Sequence, residues 1–287
     1  MKHELETFLK QEHLTLFGTT RADKKLLRMP HHLTRAGFSL PGEGTPERPE
    51  ALSLFCLCIP YFSGYPENFS AYAAAPDYHA YCDALFSRFL PLLRETYPGY
   101  HFAGFADKSP YDEVEAHVQA GLGVRGDNCL FLTKAYSSFV FLAEIASDLP
   151  EEQWELPQRQ SPALCVHCGA CRAVCPGQKA EEFFCLSALT QKKGELSVKE
   201  QEILRQNGSV WGCDLCQKCC PVTRQAAERG TLFTQIEYFR VNRIERLDRA
   251  LIEQMNDEEF ASRAFSWRGK QTVLRNLDLL YPEEKGD

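Results

Sequence analysis

The sequence predicts an α+β protein: a mixed front half, a compact cysteine-rich module, and a short helical tail. Three observations predict it. Strand-like and helix-like apolar runs follow one another through the first part of the chain. Eight of the thirteen cysteines then fall in two runs, Cys165-Cys168-Cys171-Cys175 before Pro176 and Cys213-Cys216-Cys219-Cys220 before Pro221. From Thr231 the chain is amphipathic, with neither proline nor glycine before Gly269.

In the front half, a helix is predicted around Glu4 to Gln11, then a strand in LTLFGTT and a polar loop containing PGEGTPERPE. The longest apolar run, ALSLFCLCIPYF at 51–62, is a buried strand and too short to span a bilayer, which takes ~20 residues. Tyr81, Leu85, Phe89, Leu92 and Leu93 recur at helical spacing and predict a helix from about Tyr78 to Glu95, ending before Pro98-Gly99. YHFAGFAD reads as a short strand ending at Asp107. A helix follows, with Ser109 as N-cap, Pro110 in its first turn, and Gly121 and Gly123 closing it. NCLFLTKAYSSFVFLAEI holds two β-rich runs that predict a hairpin. The proline-rich SDLPEEQWELPQRQSP marks a boundary, giving domains at 1–155, 156–230 and 231–287.

The first cysteine run has the C-x2-C-x2-C-x3-C-P spacing of bacterial ferredoxins, in which three thiolates grip one [4Fe–4S] cluster and the fourth reaches a second. Structural zinc needs only two Cys-x2-Cys pairs, so a third cysteine, a fourth before proline and a near-copy speak against it. A disulfide framework is not expected of a chain this long whose charged start, MKHELETFLK, is unlike a signal peptide. In the second run Cys219 continues the x2 series, whereas Cys220 gives C-x2-C-x3-C-P lacking its first cysteine, which Cys185 supplies from a distance. The crossed pattern then assigns Cys165, Cys168, Cys171 and Cys220 to one cluster and Cys185, Cys213, Cys216 and Cys175 to the other, leaving Cys219 spare. Cys56, Cys58, Cys82 and Cys129 read as small buried residues.

A net charge of −7 argues against strong nonspecific nucleic-acid binding without excluding a local basic groove. Tail arginines such as Arg240, Arg243 and Arg246 are mixed with acids and read as a solvated face. Clusters and reduced thiols point to the cytoplasm, and a monomer without membrane contact is expected.

Several segments resemble one family, epoxyqueuosine reductase: DYH at 77–79, DKSP-x2-E at 107–113, AGLG-x2-G-x-N at 120–128, the first cysteine run, isolated Cys185, GCDLCQ at 212–217 with CP at 220–221, and LRN at 274–276. The resemblance covers most of residues 50–276, and the split GCDLCQ-x2-CP string with a distant cysteine is its most specific part. It implies a nitroreductase-like α/β cobalamin-binding domain followed by a two-cluster ferredoxin domain. The implied reaction removes the epoxide oxygen of epoxyqueuosine in the tRNA anticodon loop, with ferredoxin or flavodoxin as external electron donor. Asp107 takes the place of the family's acid, protonating the departing oxygen. Asp77, Tyr78, His79, Gly121, Gly123 and Asn128 become cofactor contacts by the same resemblance.

The chain departs from the family at AGLG, where VRGD replaces a W-I-G-K-like string and puts Asp127 in the place of a lysine. Glu113-Val114 likewise replaces Glu-Arg, and the chain stops soon after LRN, without the C-terminal helical repeats of longer members. Lost positive charge favours a rival reading, a corrinoid-dependent reductase of a small molecule resembling the reductive dehalogenases. A third reading is a noncatalytic ferredoxin-type electron-transfer protein.

Overall fold

The computed structural model describes residues 2–157, 159–180 and 184–282, which form two compact units. One joins Met1–Pro60 to His79–His167, and the other joins Tyr61–Tyr78 to Cys168–Asp287.

The first unit is built on a four-stranded antiparallel sheet. In chain order its elements are α1 (His3–Gln11), β1 (Leu16–Arg21), α2 (Pro30–Arg35), β2 (Ser53–Pro60), α3 (Tyr78–Thr96), β3 (Phe102–Ala106), α4 (Glu113–Gln119), β4 (Val124–Arg125), β5 (Phe131–Leu132) and β6 (Val140–Ser147). The strand order is β1-β2-β6-β3, with Cys56 opposite Gly18 on one side and Glu144 on the other. Every residue of β2 is buried because both of its faces are covered. Leu54, Cys56 and Cys58 pack with Tyr111, Ala116 and Ala120. On the opposite face Phe55 meets Phe89 at 5.8 Å and Trp154 at 4.9 Å between ring centres. Two-sided burial explains the unbroken apolar run at 51–62.

Three local expectations give way to longer-range bonding. Helix α4 starts at Glu113, capped by Asp112, whose side chain accepts the Glu115 N–H at 3.0 Å. Ser109 does not cap it, because its hydroxyl is buried and donates to Glu144 on β6. The hairpin over 128–145 is reduced to one antiparallel bridge, Thr133 to Ser137: β5 pairs with β4, while β6 fills the centre of the sheet between β2 and β3. Cys129 is exposed, at a left-handed turn position with φ 63°, and is not the buried residue expected; Cys56, Cys58 and Cys82 are buried.

The second unit carries α5 (Ala170–Val174), α6 (Leu186–Thr190), α7 (Val198–Asn207), α8 (Leu215–Lys218), α9 (Pro221–Glu228), α10 (Arg249–Gln254), α11 (Asp257–Ala261) and α12 (Lys270–Leu280). Its core gathers Phe69, Trp211, Leu247, Phe265, Val273 and Leu277. The tail is helical only in part, and its last five residues lie outside the described ones. Between 231 and 248 a single 3-10 turn forms, at Glu237–Phe239. Other backbone groups there bond to the segment before α3: Thr234 N–H to Phe62 O (2.8 Å), Ile244 N–H to Ala74 O (2.9 Å), and Glu67 N–H to Glu245 O (2.7 Å). No helix among the described residues is long and apolar enough to cross a membrane.

Candidate functional site

In the second unit the two cysteine runs meet where α5 packs on α8. Burial raises the Cys213 thiol first, and the negative charges of Asp214, Cys185 and Cys175 add to it. Burial likewise pushes Cys216 up to about 12, helped by Cys213, Cys175, Cys219 and Cys171. Cys219 is raised by burial and then by Cys171, Cys220 and Cys168. Cys216 thus feels thiols of both runs, and the cysteines of this unit form one linked neighbourhood. Thiolates crowded this closely repel one another unless a cation accepts them, so the donor set fits iron bound by sulfur. Cys219 ends α8, with its thiol 3.5 Å from the Cys216 carbonyl oxygen, while Cys220 caps α9 ahead of Pro221. Cys165 belongs to the first unit.

The other letters of GCDLCQ and LRN hold this region together. Gly212 has φ 70°, and a Cβ there would stand 2.5 Å from the Ser70 Cβ. Asp214 is buried and accepts from Ser70 Oγ (2.5 Å), the Ala71 N–H (2.8 Å) and Gln217 Nε2 (3.0 Å). Burial raises its carboxyl, and the hydrogen bonds from Ser70 and Ala71 work against that rise. Asn276, fully buried on α12, donates to Thr190 O (2.7 Å) and Val210 O (2.8 Å). Arg275 bonds the carbonyls of Lys192 (2.6 Å) and Gly194.

In the first unit Asp107 follows β3 with a left-handed backbone, φ 62°, and an exposed side chain. Its Oδ2 lies 3.6 Å from His79 Nε2, so two residues from separate sequence motifs come together. Burial and then the charge of Asp107 push Glu113 up to about 7. Farther in, burial pushes Glu144 up to about 8 and pulls His117 down to about 4. His117 Nδ1 lies 2.7 Å from Glu113 O and 3.7 Å from Glu144 Oε1, and its Nε2 lies 3.1 Å from Leu57 O. Cys56, His117 and Glu144 are near enough to suggest a buried metal site, but carbonyl oxygens already face both ring nitrogens. Sequence reasoning missed this buried set. An acid and a histidine on otherwise apolar faces of β6 and α4 were the available signal.

The remaining cofactor-assigned residues have uses within the protein. A Cβ at Gly121 would stand 2.3 Å from Arg159 O, and one at Gly123 would stand 2.2 Å from Leu132 O. Asn128 accepts the Leu130 N–H at 3.2 Å in its own turn. Asp77 and Tyr78 belong to the second unit, where the Asp77 carbonyl accepts from the Tyr238 hydroxyl at 2.7 Å and Tyr78 opens α3. Asp127, in the place of the family lysine, takes a partner of its own: its Oδ1 lies 2.8 Å from His167 Nδ1, which is 3.9 Å from Cys165 Sγ.

Fold and site define an α+β protein with a sheet-based acid site and a two-run cysteine module. No family model matches the chain. The curated epoxyqueuosine reductase of Listeria monocytogenes is 31% identical over 222 residues, 73% of this chain and 55% of that protein. A solved epoxyqueuosine reductase with an epoxyqueuosine-modified tRNA-Tyr stem loop superposes with TM-score 0.73 at 21% identity, over 98% of this chain and 80% of its own. The structure of the Bacillus subtilis epoxyqueuosine reductase gives 0.71 at 22%, over 98% and 81%. The chain belongs to the epoxyqueuosine reductase family. It spans little more than half the length of the curated relative it matches.

Proposed function

We propose that the chain is an oxidoreductase that converts epoxyqueuosine to queuosine in tRNA. The observation that carries this is that isolated Cys185 and first-run Cys175 both act on the Cys213 thiol, since a plain ferredoxin needs no such split ligand set. In this proposal Cys185 and seven of the eight run cysteines hold two [4Fe–4S] clusters in the crossed assignment, with Cys219 spare. Cobalamin enters through the family alone, and no step is derived through it. When bound, these groups supply the reducing electrons.

Deoxygenating an epoxide takes two electrons and two protons and yields an alkene and water. Asp107 gives one proton to the departing oxygen, and its exposed carboxyl at a strand end is open to substrate. His79, 3.6 Å away, orients that carboxyl. The electrons come from an external ferredoxin or flavodoxin, and the protein works in the cytoplasm as a monomer. Purified anaerobically, it should contain about eight irons, as two four-iron clusters require. A preparation holding zinc and no iron would end the proposal.

One feature supports a second reading, reduction of a small corrinoid-accessible substrate. Asp127, paired with His167, puts negative charge where the family has positive. Nucleoside analysis of tRNA incubated with the reduced protein separates the two.

A further inference from the structure

We propose that the segment Lys24–Arg35, together with Lys108, is a phosphate-binding strip that holds the RNA backbone beside the Asp107 acid. The choice of RNA as occupant rests on the reductase reading, whereas the strip is a property of the free protein.

Charge in this chain is unevenly spread. The whole carries −7, yet residues 22–35 hold four cations, Lys24, Lys25, Arg28 and Arg35, against one acid, Asp23. Leu26 and Leu33 are buried in the core and leave the four cations exposed around them. The Asp23 carboxylate is turned back on its own chain, where it accepts the Lys25 N–H at 2.8 Å.

Long-range backbone bonds press this segment against the turn that carries the acid. The Pro110 carbonyl accepts from the N–H groups of Arg28 (2.7 Å) and Met29 (2.9 Å), the Asp112 N–H donates to Leu26 O (2.8 Å), and Leu27 bridges to Tyr111. From α2, His32 Nδ1 lies 2.8 Å from the carbonyl oxygen of Lys108, the residue next to Asp107. Arg35 stands one turn beyond His32 on the same side of α2. Lys108 itself adds a fifth exposed cation.

One of the five is already committed. Arg28 donates to Lys25 O at 2.7 Å and faces Asp112 Oδ2 at 3.4 Å, while Arg125 meets the other Asp112 oxygen at 3.2 Å. Asp112 is thereby neutralised, and Glu113 and Glu115 beyond it on α4 are partly buried. Among the described residues no acidic side chain pairs with Lys24, Lys25, Arg35 or Lys108. An RNA that presents its modified base to Asp107 must lead its backbone past these four. Such cations bind phosphates without reading sequence, so they fix where the strand lies and leave selection of the base to the site.

Titrating tRNA onto the iron-loaded protein over a range of salt concentrations tests the strip, with epoxyqueuosine-containing and unmodified tRNA as probes. Each contact with a single-stranded phosphate adds ~0.7 to the slope of log Kd against log salt, or about fivefold in affinity at about 0.1 M salt. Lys25→Ala and Arg35→Ala should each lower the slope by about that amount and weaken both tRNAs about fivefold. Lys199→Ala, which removes an exposed lysine from α7, should change neither quantity. In turnover the two strip variants should raise KM more than they lower kcat. Wild-type slope and affinity in both strip variants would overturn the proposal. So would unchanged tRNA binding together with slower reduction of the clusters by ferredoxin or flavodoxin, which would give this surface to an acidic protein. A wild type that binds tRNA through these cations yet leaves epoxyqueuosine intact would keep the strip and count against the reductase reading.

Discussion

The Ser70 hydroxyl donates to the Asp214 carboxylate at 2.5 Å, tying the segment before α3 to the loop that carries Cys213 and Cys216. The same carboxylate accepts two further hydrogen bonds, from the Ala71 N–H and Gln217 Nε2. Asp214→Asn keeps the volume but turns one acceptor into a donor facing other donors. A buried polar group left unpaired costs about 1–3 kcal/mol. Chemical denaturation of the anaerobic protein should show a loss of that size, with faster release of iron. An unchanged midpoint would mean that Asp214 does not fasten this loop.

Asn276 gives a second stability prediction. Its amide satisfies the carbonyls of Thr190 and Val210 from a fully buried position. Asn276→Leu would fill similar space and strand both carbonyl oxygens, at a combined cost of about 2–4 kcal/mol. Measuring the urea midpoint against Gln271→Leu, at an exposed position of the same helix, separates this from a general effect of altering α12.

These two residues also mark what was legible in the sequence. The GCDLCQ and LRN strings pointed to a family, yet the jobs of Gly212, Asp214 and Asn276 depend on partners tens to hundreds of residues away. Helices α1 and α3 and strands β1 and β2 were readable because periodicity and burial dictate them locally. The start of α4 was not, since Ser109 spends its hydroxyl on Glu144 and leaves the cap to Asp112. Nor was the central position of β6, because a hairpin and a long-range pairing have the same apolar pattern. At the site, sequence motifs supplied Asp107 and His79 separately, and the fold puts them 3.6 Å apart.

The cysteine assignment makes a prediction of its own. Cys219→Ser should retain both clusters, and Cys220→Ser should lose about half the iron, as one of two four-iron clusters fails to assemble. Iron analysis and low-temperature EPR of the reduced variants would report it. The opposite outcome would exchange the two roles, which their shared neighbourhood allows.

Buried Glu144 should leave a mark on stability against pH. Burial raises its carboxyl to about 8, so the folded protein keeps a proton that the unfolded chain has already released. The stability this group contributes is therefore present at low pH and lost as pH rises from the ordinary carboxylate range through about 8. One such proton gives a slope of about 1.4 kcal/mol per pH unit. Glu113 acts in the same direction up to about 7. Relative to the wild type, Glu144→Gln should gain stability steadily between pH 5 and 8, and parallel curves would show that Glu144 is ionised throughout.

The most direct test of the account is conversion of the substrate itself. The iron-loaded protein, supplied with cobalamin and a low-potential reductant, is incubated with tRNA carrying epoxyqueuosine, and the nucleosides are then analysed. Queuosine should appear at the expense of epoxyqueuosine, and Asp107→Asn should abolish this at equal iron content. Epoxyqueuosine left intact by a protein holding both clusters and cobalamin would contradict it.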